Sequence, residues 1–141
     1  MTGVFEVSSV EETWDVARAL AKELKPGDVV CLEGDLGAGK TTFTQALAAA
    51  LGVNGRVTSP TFCLVQEHRR AGSSVFLVHM DLYRLHDEDD VLAIGWEDYL
   101  SEGAILVVEW PERALSLVPP TAHHVRFTAT GENARRIEVL S

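Results

Sequence analysis

Gly34-Asp35-Leu36-Gly37-Ala38-Gly39-Lys40-Thr41 decides how this chain is read, because it joins an apolar run, Val29 to Leu32, to a segment of helical periodicity. Glycines at these spacings let the backbone take conformations closed to other residues and turn successive N–H groups towards one point, which makes the loop an anion cradle. The helix expected over Lys40 to Leu51, with the stripe Phe43, Leu47, Ala50 and Leu51, adds its unpaired first-turn amides and the positive end of its dipole. Lys40 has the reach to meet the outer phosphates of a nucleoside triphosphate as a point charge, and the Thr41 hydroxyl suits Mg²⁺. Thr42 packs or caps behind them. Strand, glycine loop and helix in this order are the setting the motif requires.

The rest of the chain is bounded by its length and charge. At 141 residues with 46% hydrophobic content, a single domain spanning 1–141 with one core is expected, and there is too little chain for a separate lid. With neither a leader pattern nor an apolar run long enough to cross a bilayer, the expected location is the cytoplasm. Cys31 and Cys63 form no Cys-x-x-Cys pair and are expected as buried, reduced thiols, and the five histidines show no metal-ligand spacing. Twelve basic against 21 acidic residues give a formal net charge of -9, which opposes direct RNA binding at long range. Arg69, Arg70, Arg113, Arg135 and Arg136 could still gather into a basic patch, or lie scattered in solvent.

Ser9 and Glu12 make a capping box for a helix with the stripe Val10, Trp14, Ala17, Leu20 or Ala21, and Leu24, ended by Pro26-Gly27-Asp28. Gly52 stops the second helix, and a polar connection follows from Val53 to Pro60. Thr61 to Gln66 and Val75 to Met80 read as an antiparallel pair turned over Arg69 to Ser74 by Gly72, so the sheet is not purely parallel. Asp87 to Asp90 opens a short helix and Trp96 to Leu100 forms another, both expected on the surface. Ala104 to Val108 is continuously apolar, as in a strand covered on both faces. Pro119-Pro120 then breaks the chain before two closing strands, Val125 to Thr128 and Arg136 to Leu140.

A phosphate loop needs a carboxylate at the end of a neighbouring strand, and two qualify, Asp81 after Val75 to Met80 and Glu109 after Ala104 to Val108. The sequence does not rank them. Strand alternation puts His79, Asp81 and Tyr83 on one side, with a strand end simply going wet as the alternative. Ser59-Pro60-Thr61 reads as an extended, hydroxyl-bearing loop that could sense the terminal phosphate, or as an ordinary turn. Trp110 reads as core or partner contact rather than a ligand-stacking ring.

Taken in order, the glycine loop through Thr42, Thr-Ser-Pro-Thr-Phe from Thr58, His-Met-Asp-Leu-Tyr-Arg from His79 and Glu-Trp-Pro-Glu-Arg from Glu109 resemble the TsaE family over nearly the whole chain. These are bacterial ATPases that support formation of threonylcarbamoyladenosine on tRNA. The resemblance implies an α/β, small single-domain P-loop NTPase-like fold whose mixed parallel and antiparallel sheet is flanked by helices. It implies that Gly37, Ala38, Gly39, Lys40, Thr41 and Thr42 bind ATP, that Thr41 and Glu109 hold Mg²⁺, and that Asp81 supports the metal or positions water. Thr13, Arg113 and Arg135 would lie close to the nucleotide. The implied partner is the TsaD–TsaB threonylcarbamoyl transferase pair, which binds the tRNA and does the modification chemistry, and whose cycling is reset by ATP hydrolysis.

In the resulting mechanism Lys40 and Mg²⁺ neutralise charge between the outer phosphates while Asp81 or Glu109 orients water, so Lys40, Asp81 and Glu109 are the expected catalytic residues. No arginine finger is marked in the sequence, so hydrolysis by the lone chain is expected to be slow and partner-stimulated. Two rivals remain, a small-molecule kinase using the same loop and a module gated by nucleotide occupancy without required hydrolysis.

Overall fold

The computed structural model describes residues 1–35, 37–53, 64–70 and 75–141. The chain runs β1 (Gly3–Val7), α1 (Val10–Ala21), β2 (Val29–Gly34), α2 (Lys40–Ala50), β3 (Val65–Arg69), β4 (Val75–Asp81), α3 (Glu88–Ala93), α4 (Trp96–Ser101), β5 (Ile105–Glu109), a 3₁₀ turn (Pro111–Ala114), β6 (His123–Ala129) and β7 (Arg135–Leu140).

The seven strands form one sheet in the order β1-β7-β6-β2-β5-β4-β3. Its centre is parallel, β2 between β5 and β6 and β4 beside β5, and both margins are antiparallel, β3 on β4 and β7 on β6 and β1. The mixed α/β architecture is thus the one expected. Side-chain alternation divides the core in two. Val30, Leu32, Leu77, Ile105, Val107, Val125 and Ile137 meet α1 and α2 on one face, while Val29, Cys31, Val78, Met80, Leu106 and Val108 meet Val91 and Trp96 on the other. Every residue of β5 is buried, which is why its first four residues, Ile105 to Val108, are apolar without alternation and only Glu109 at its end is charged.

Several expected details shift. The Ser9 cap forms, with Glu12 N–H donating to Ser9 Oγ at 3.2 Å, while the Glu12 carboxylate closes the turn one residue further back by accepting from Ser8 N–H at 3.1 Å. The buried face of α1, however, is Thr13, Val16, Ala17, Leu20 and Ala21, while Val10 is 59% exposed at the helix start. In α2 the buried residues are Lys40, Phe43, Thr44, Ala46, Leu47 and Ala48; Ala50 faces out and the helix ends one residue before Leu51. β3 begins at Val65 and carries Arg69 inside the strand; 61–63 and Gly72 lie outside the described residues. The short helices α3 and α4 cover the second face of the sheet and each plants one side chain in the core, Val91 and Trp96. β1 is not marked by the sequence pattern; it pairs with β7 at the far end of the chain, from Gly3 opposite Val139 to Val7 opposite Arg135, which local pattern does not reveal.

The five arginines do not form a patch. Arg69 and Arg70 stand at the β3 margin and Arg135 and Arg136 on β7, with β4, β5, β2 and β6 between them, and Arg113 sits apart from both pairs on the 3₁₀ turn after β5. Cys31 is a buried free thiol, and Cys63 lies outside the described residues. Among the described residues no helix is long and apolar enough to cross a membrane.

Candidate functional site

The cradle is built where β2 ends. Gly34 closes that strand with φ 146°, and a Cβ there would lie 2.7 Å from the carbonyl oxygen of Phe127 on β6, so only glycine lets the two strands run side by side into the loop. Gly39 caps α2 at φ 109°, with its carbonyl accepting the first helical bond from Phe43 N–H at 3.0 Å and no side chain covering the helix start. The first-turn amides of α2 thus have no side-chain cap and point into the loop, as an anion site requires. The turn is held from both sides: Ala38 N–H donates to Asp35 C=O at 3.0 Å, and the Arg135 guanidinium donates to Gly37 C=O at 3.3 Å.

Two carboxylates stand beside the cradle. Asp81 and Glu109 are register partners at the ends of the parallel strands β4 and β5, on the α1/α2 face, and each is 6% exposed. Glu109 has a partner on each oxygen: Lys40 Nζ is 3.4 Å from Oε1 and His79 Nε2 is 2.7 Å from Oε2. Burial pushes the Glu109 carboxyl up, but the hydrogen bond from His79 and the Lys40 ammonium outweigh it and hold the group below its ordinary range. Asp81 Oδ1 accepts from Tyr83 N–H at 3.0 Å.

Trp110, directly after Glu109, takes the left-handed conformation at φ 60° and ψ 53°, which directs the chain away from the sheet into the 3₁₀ turn. Its ring packs on Tyr83 with centroids 4.8 Å apart and lies 6.0 Å from Lys40 Nζ. Two cavities flank the loop. One, of about 230 Å³, is lined by Gly34, Lys40, Trp110 and Glu112 among others. The second, of about 300 Å³, is lined by Ser9, Val10, Thr13, Gly37, Thr42 and Arg135 among others.

The family model described as "Threonylcarbamoyl adenosine biosynthesis protein TsaE" matches residues 7–137. The chain belongs to the TsaE family. A relative from Aquifex aeolicus is 46% identical over 135 residues, covering 94% of this chain and 92% of the relative. One from Bacillus subtilis is 39% identical over 127 residues, covering 90% and 78% respectively. Both carry the name "tRNA threonylcarbamoyladenosine biosynthesis protein TsaE". A crystal structure of Bacillus subtilis YdiB superposes with a TM-score of 0.78 at 32% identity, covering 99% of this chain and 84% of that one.

In this TsaE-family chain the expected site residues fall into three groups. Lys40, Asp81 and Glu109 come together at the strand ends. Thr13, Gly37, Gly39, Thr42 and Arg135 line one cavity, with Ala38 buried beneath the loop and Thr41 half-buried in the first turn of α2. Arg113 is exposed on the 3₁₀ turn and lines neither of the two cavities. The motif from Thr58 to Phe62 lies outside the described residues.

Three features escaped sequence reading. His79 was placed beside Asp81 by alternation, but its bond to Glu109 depends on the pairing of β4 with β5. Val10, expected in the core, faces the second cavity. Asn133 enters the same cavity from the β6–β7 turn, with no motif to mark it.

Hard oxygen donors suit Mg²⁺, and the strand ends offer the adjacent Asp81 and Glu109 carboxylates, with Thr41 next to Lys40 in the first turn of α2, but no group of three protein carboxylate, thiolate or imidazole ligands among the described residues. Such a sparse donor set fits an ion that arrives with phosphates and keeps water.

Proposed function

We propose that this chain binds ATP with Mg²⁺ in the cradle from Gly37 to Thr42 and hydrolyses it slowly. In this reading it is the nucleotide-driven member of the machinery that forms threonylcarbamoyladenosine on tRNA, and it acts on the TsaD–TsaB transferase pair. The observation that carries the reading is the convergence on one point of an uncapped helix start, the Lys40 ammonium and two buried strand-end carboxylates. The names of the relatives support the pathway, and the net charge of -9 fits a subunit that leaves the tRNA to its partners.

The backbone amides of the loop and the first turn of α2 would grip the phosphates. Lys40 would exchange the Glu109 carboxylate for the terminal phosphates, a substitution of one anion for another that keeps the ammonium paired throughout. Thr41 and Glu109 would hold Mg²⁺, which supplies neutralisation of the charge spreading over the transferred phosphoryl group. Asp81, in register beside Glu109, would orient the attacking water. Thr13 and Arg135 would bound the nucleotide on the α1 side of the loop.

The test is steady-state ATP turnover with and without the transferase pair. Slow release of phosphate by the chain alone, rising when the pair is added, is the expected result; fast hydrolysis by the isolated chain, or radiolabel passing to a small acceptor, contradicts it. Glu109→Gln should bind ATP and fail to support tRNA modification, whereas retained modification would favour gating by occupancy alone.

A further inference from the structure

We propose that His79 is a positioning residue for Glu109, anchoring one carboxylate oxygen so that the other stays aimed into the cradle, where Mg²⁺ would be held, when Lys40 leaves it for the phosphates. This rests on the ATP-hydrolysing reading above.

The two contacts of Glu109 differ in kind. Lys40 reaches Oε1 from the first turn of a helix, on a flexible stem, at an ion-pair distance of 3.4 Å. His79 reaches Oε2 at 2.7 Å from the middle of β4, a strand paired on both sides, with its side chain fully buried. A carboxylate only accepts, so Nε2–H is the donor. The long contact belongs to the group that polyphosphate attracts; the short one belongs to a group that has nowhere to go.

An anchor has physical value here because the terminal torsion of glutamate is soft, with broad rather than staggered preferences. With both partners gone the carboxylate would rotate among many orientations. With Oε2 fixed, rotation is stopped and Oε1 keeps facing the cradle after Lys40 has moved to the phosphates. Preorganisation of this kind supplies the orientation in advance of the reaction.

The position of His79 is otherwise hard to account for. It pairs in register with Val107 and shares its face with Leu77 and Ile105, all fully buried, so a leucine or valine would suit the core. Its Nδ1 has no hydrogen-bond partner among the described residues, and a buried polar group without one is destabilising. An imidazole kept in an apolar layer at that cost, with Glu109 on its other nitrogen, is explained by what it does to Glu109.

The experiment compares His79→Leu and His79→Gln with the unchanged chain, measuring ATP affinity by calorimetry and turnover separately, together with ¹⁵N–¹H spectra of ring-labelled histidine. His79→Leu should bind ATP with nearly unchanged affinity and lose turnover by about 10–100-fold, as when the hydrogen-bond partner of a ligating carboxylate is removed. His79→Gln, whose amide N–H reaches the same oxygen, should recover most of that loss. The His79 Nε2–H signal should persist on adding a non-hydrolysable ATP analogue and be displaced in Glu109→Ala. Undiminished turnover in His79→Leu, equal losses of affinity and turnover, or disappearance of the Nε2–H signal on nucleotide binding each overturns the proposal. Should His79→Leu not fold, His79→Gln and the spectra still decide it. Failure of the unchanged chain to bind ATP defeats the functional reading instead, and is seen in the first titration.

Discussion

Lys40 Nζ lies 3.4 Å from Glu109 Oε1, so the cation of the phosphate loop is paired with the acid at the end of the next strand. Both side chains are about nine-tenths buried, at 10% and 8% relative exposure, which makes the pair costly to break from one side only. Lys40→Met leaves Glu109 with His79 alone, and Glu109→Gln leaves Lys40 without its counter-charge. Urea unfolding of the two single variants and the double should therefore be non-additive, with a coupling of about 0.5–3 kcal/mol. Additive losses would show that the ion pair contributes nothing to the fold.

Gly34 is expected to be among the least replaceable residues for stability. Gly34→Ala combines a positive φ of 146° with a Cβ placed 2.7 Å from a backbone oxygen of β6, which cannot swing aside as a side-chain end would. A loss of about 1–3 kcal/mol or more in denaturant unfolding follows from the backbone strain. A loss within measurement error would mean that β2 and β6 separate there readily.

His68 links stability to pH. Burial, then the neighbouring His79, pushes its imidazole below the ordinary value of 6.5 in the folded chain. As pH falls below 6.5 the unfolded chain takes up a proton that the folded chain refuses, so stability declines from there down to the lowered folded value and is unaffected above it. His68→Leu, opposite Leu77 in the β3–β4 pair, should flatten stability measured between about pH 7 and about pH 5.5. An unchanged slope would assign the acid sensitivity to other groups.

The sequence made the site more legible than the surfaces around it. The glycine loop, β2 and α2 are contiguous, so their chemistry is written locally from Gly34 to Thr42 and needs no long-range pairing to be read. The continuous apolar run of β5 and the cap at Ser9 are likewise local signals. What escaped depends on register. Asp81 and Glu109 could not be ranked because their partners, Tyr83 N–H for one and Lys40 with His79 for the other, follow from how β4, β5 and α2 meet. Val10 carries the right periodicity for the core, yet as the first residue of α1 it opens onto the cavity beside Thr13 and Arg135. Periodicity gives the direction of a helix face, not the point along the helix where the core ends.

Cys31 should be chemically silent in the native chain. Burial, with the negative charges of Glu33 and Glu112, pushes its thiol up to about 12, so almost no thiolate forms at neutral pH. Alkylation with iodoacetamide followed by peptide mapping should leave the Cys31 peptide unmodified until denaturant is added. Rapid native labelling at Cys31 would mean that the centre of the sheet opens to reagent.

The most direct test of the central claim is a calorimetric titration of the folded chain with ATP in the presence of Mg²⁺, run beside Lys40→Ala. Saturable heat in the unchanged chain, with affinity reduced at least about tenfold in the variant because a charge-assisted phosphate contact is lost, is the predicted result. No heat from the unchanged, folded chain, or equal binding by both, would contradict an anion cradle centred on Lys40.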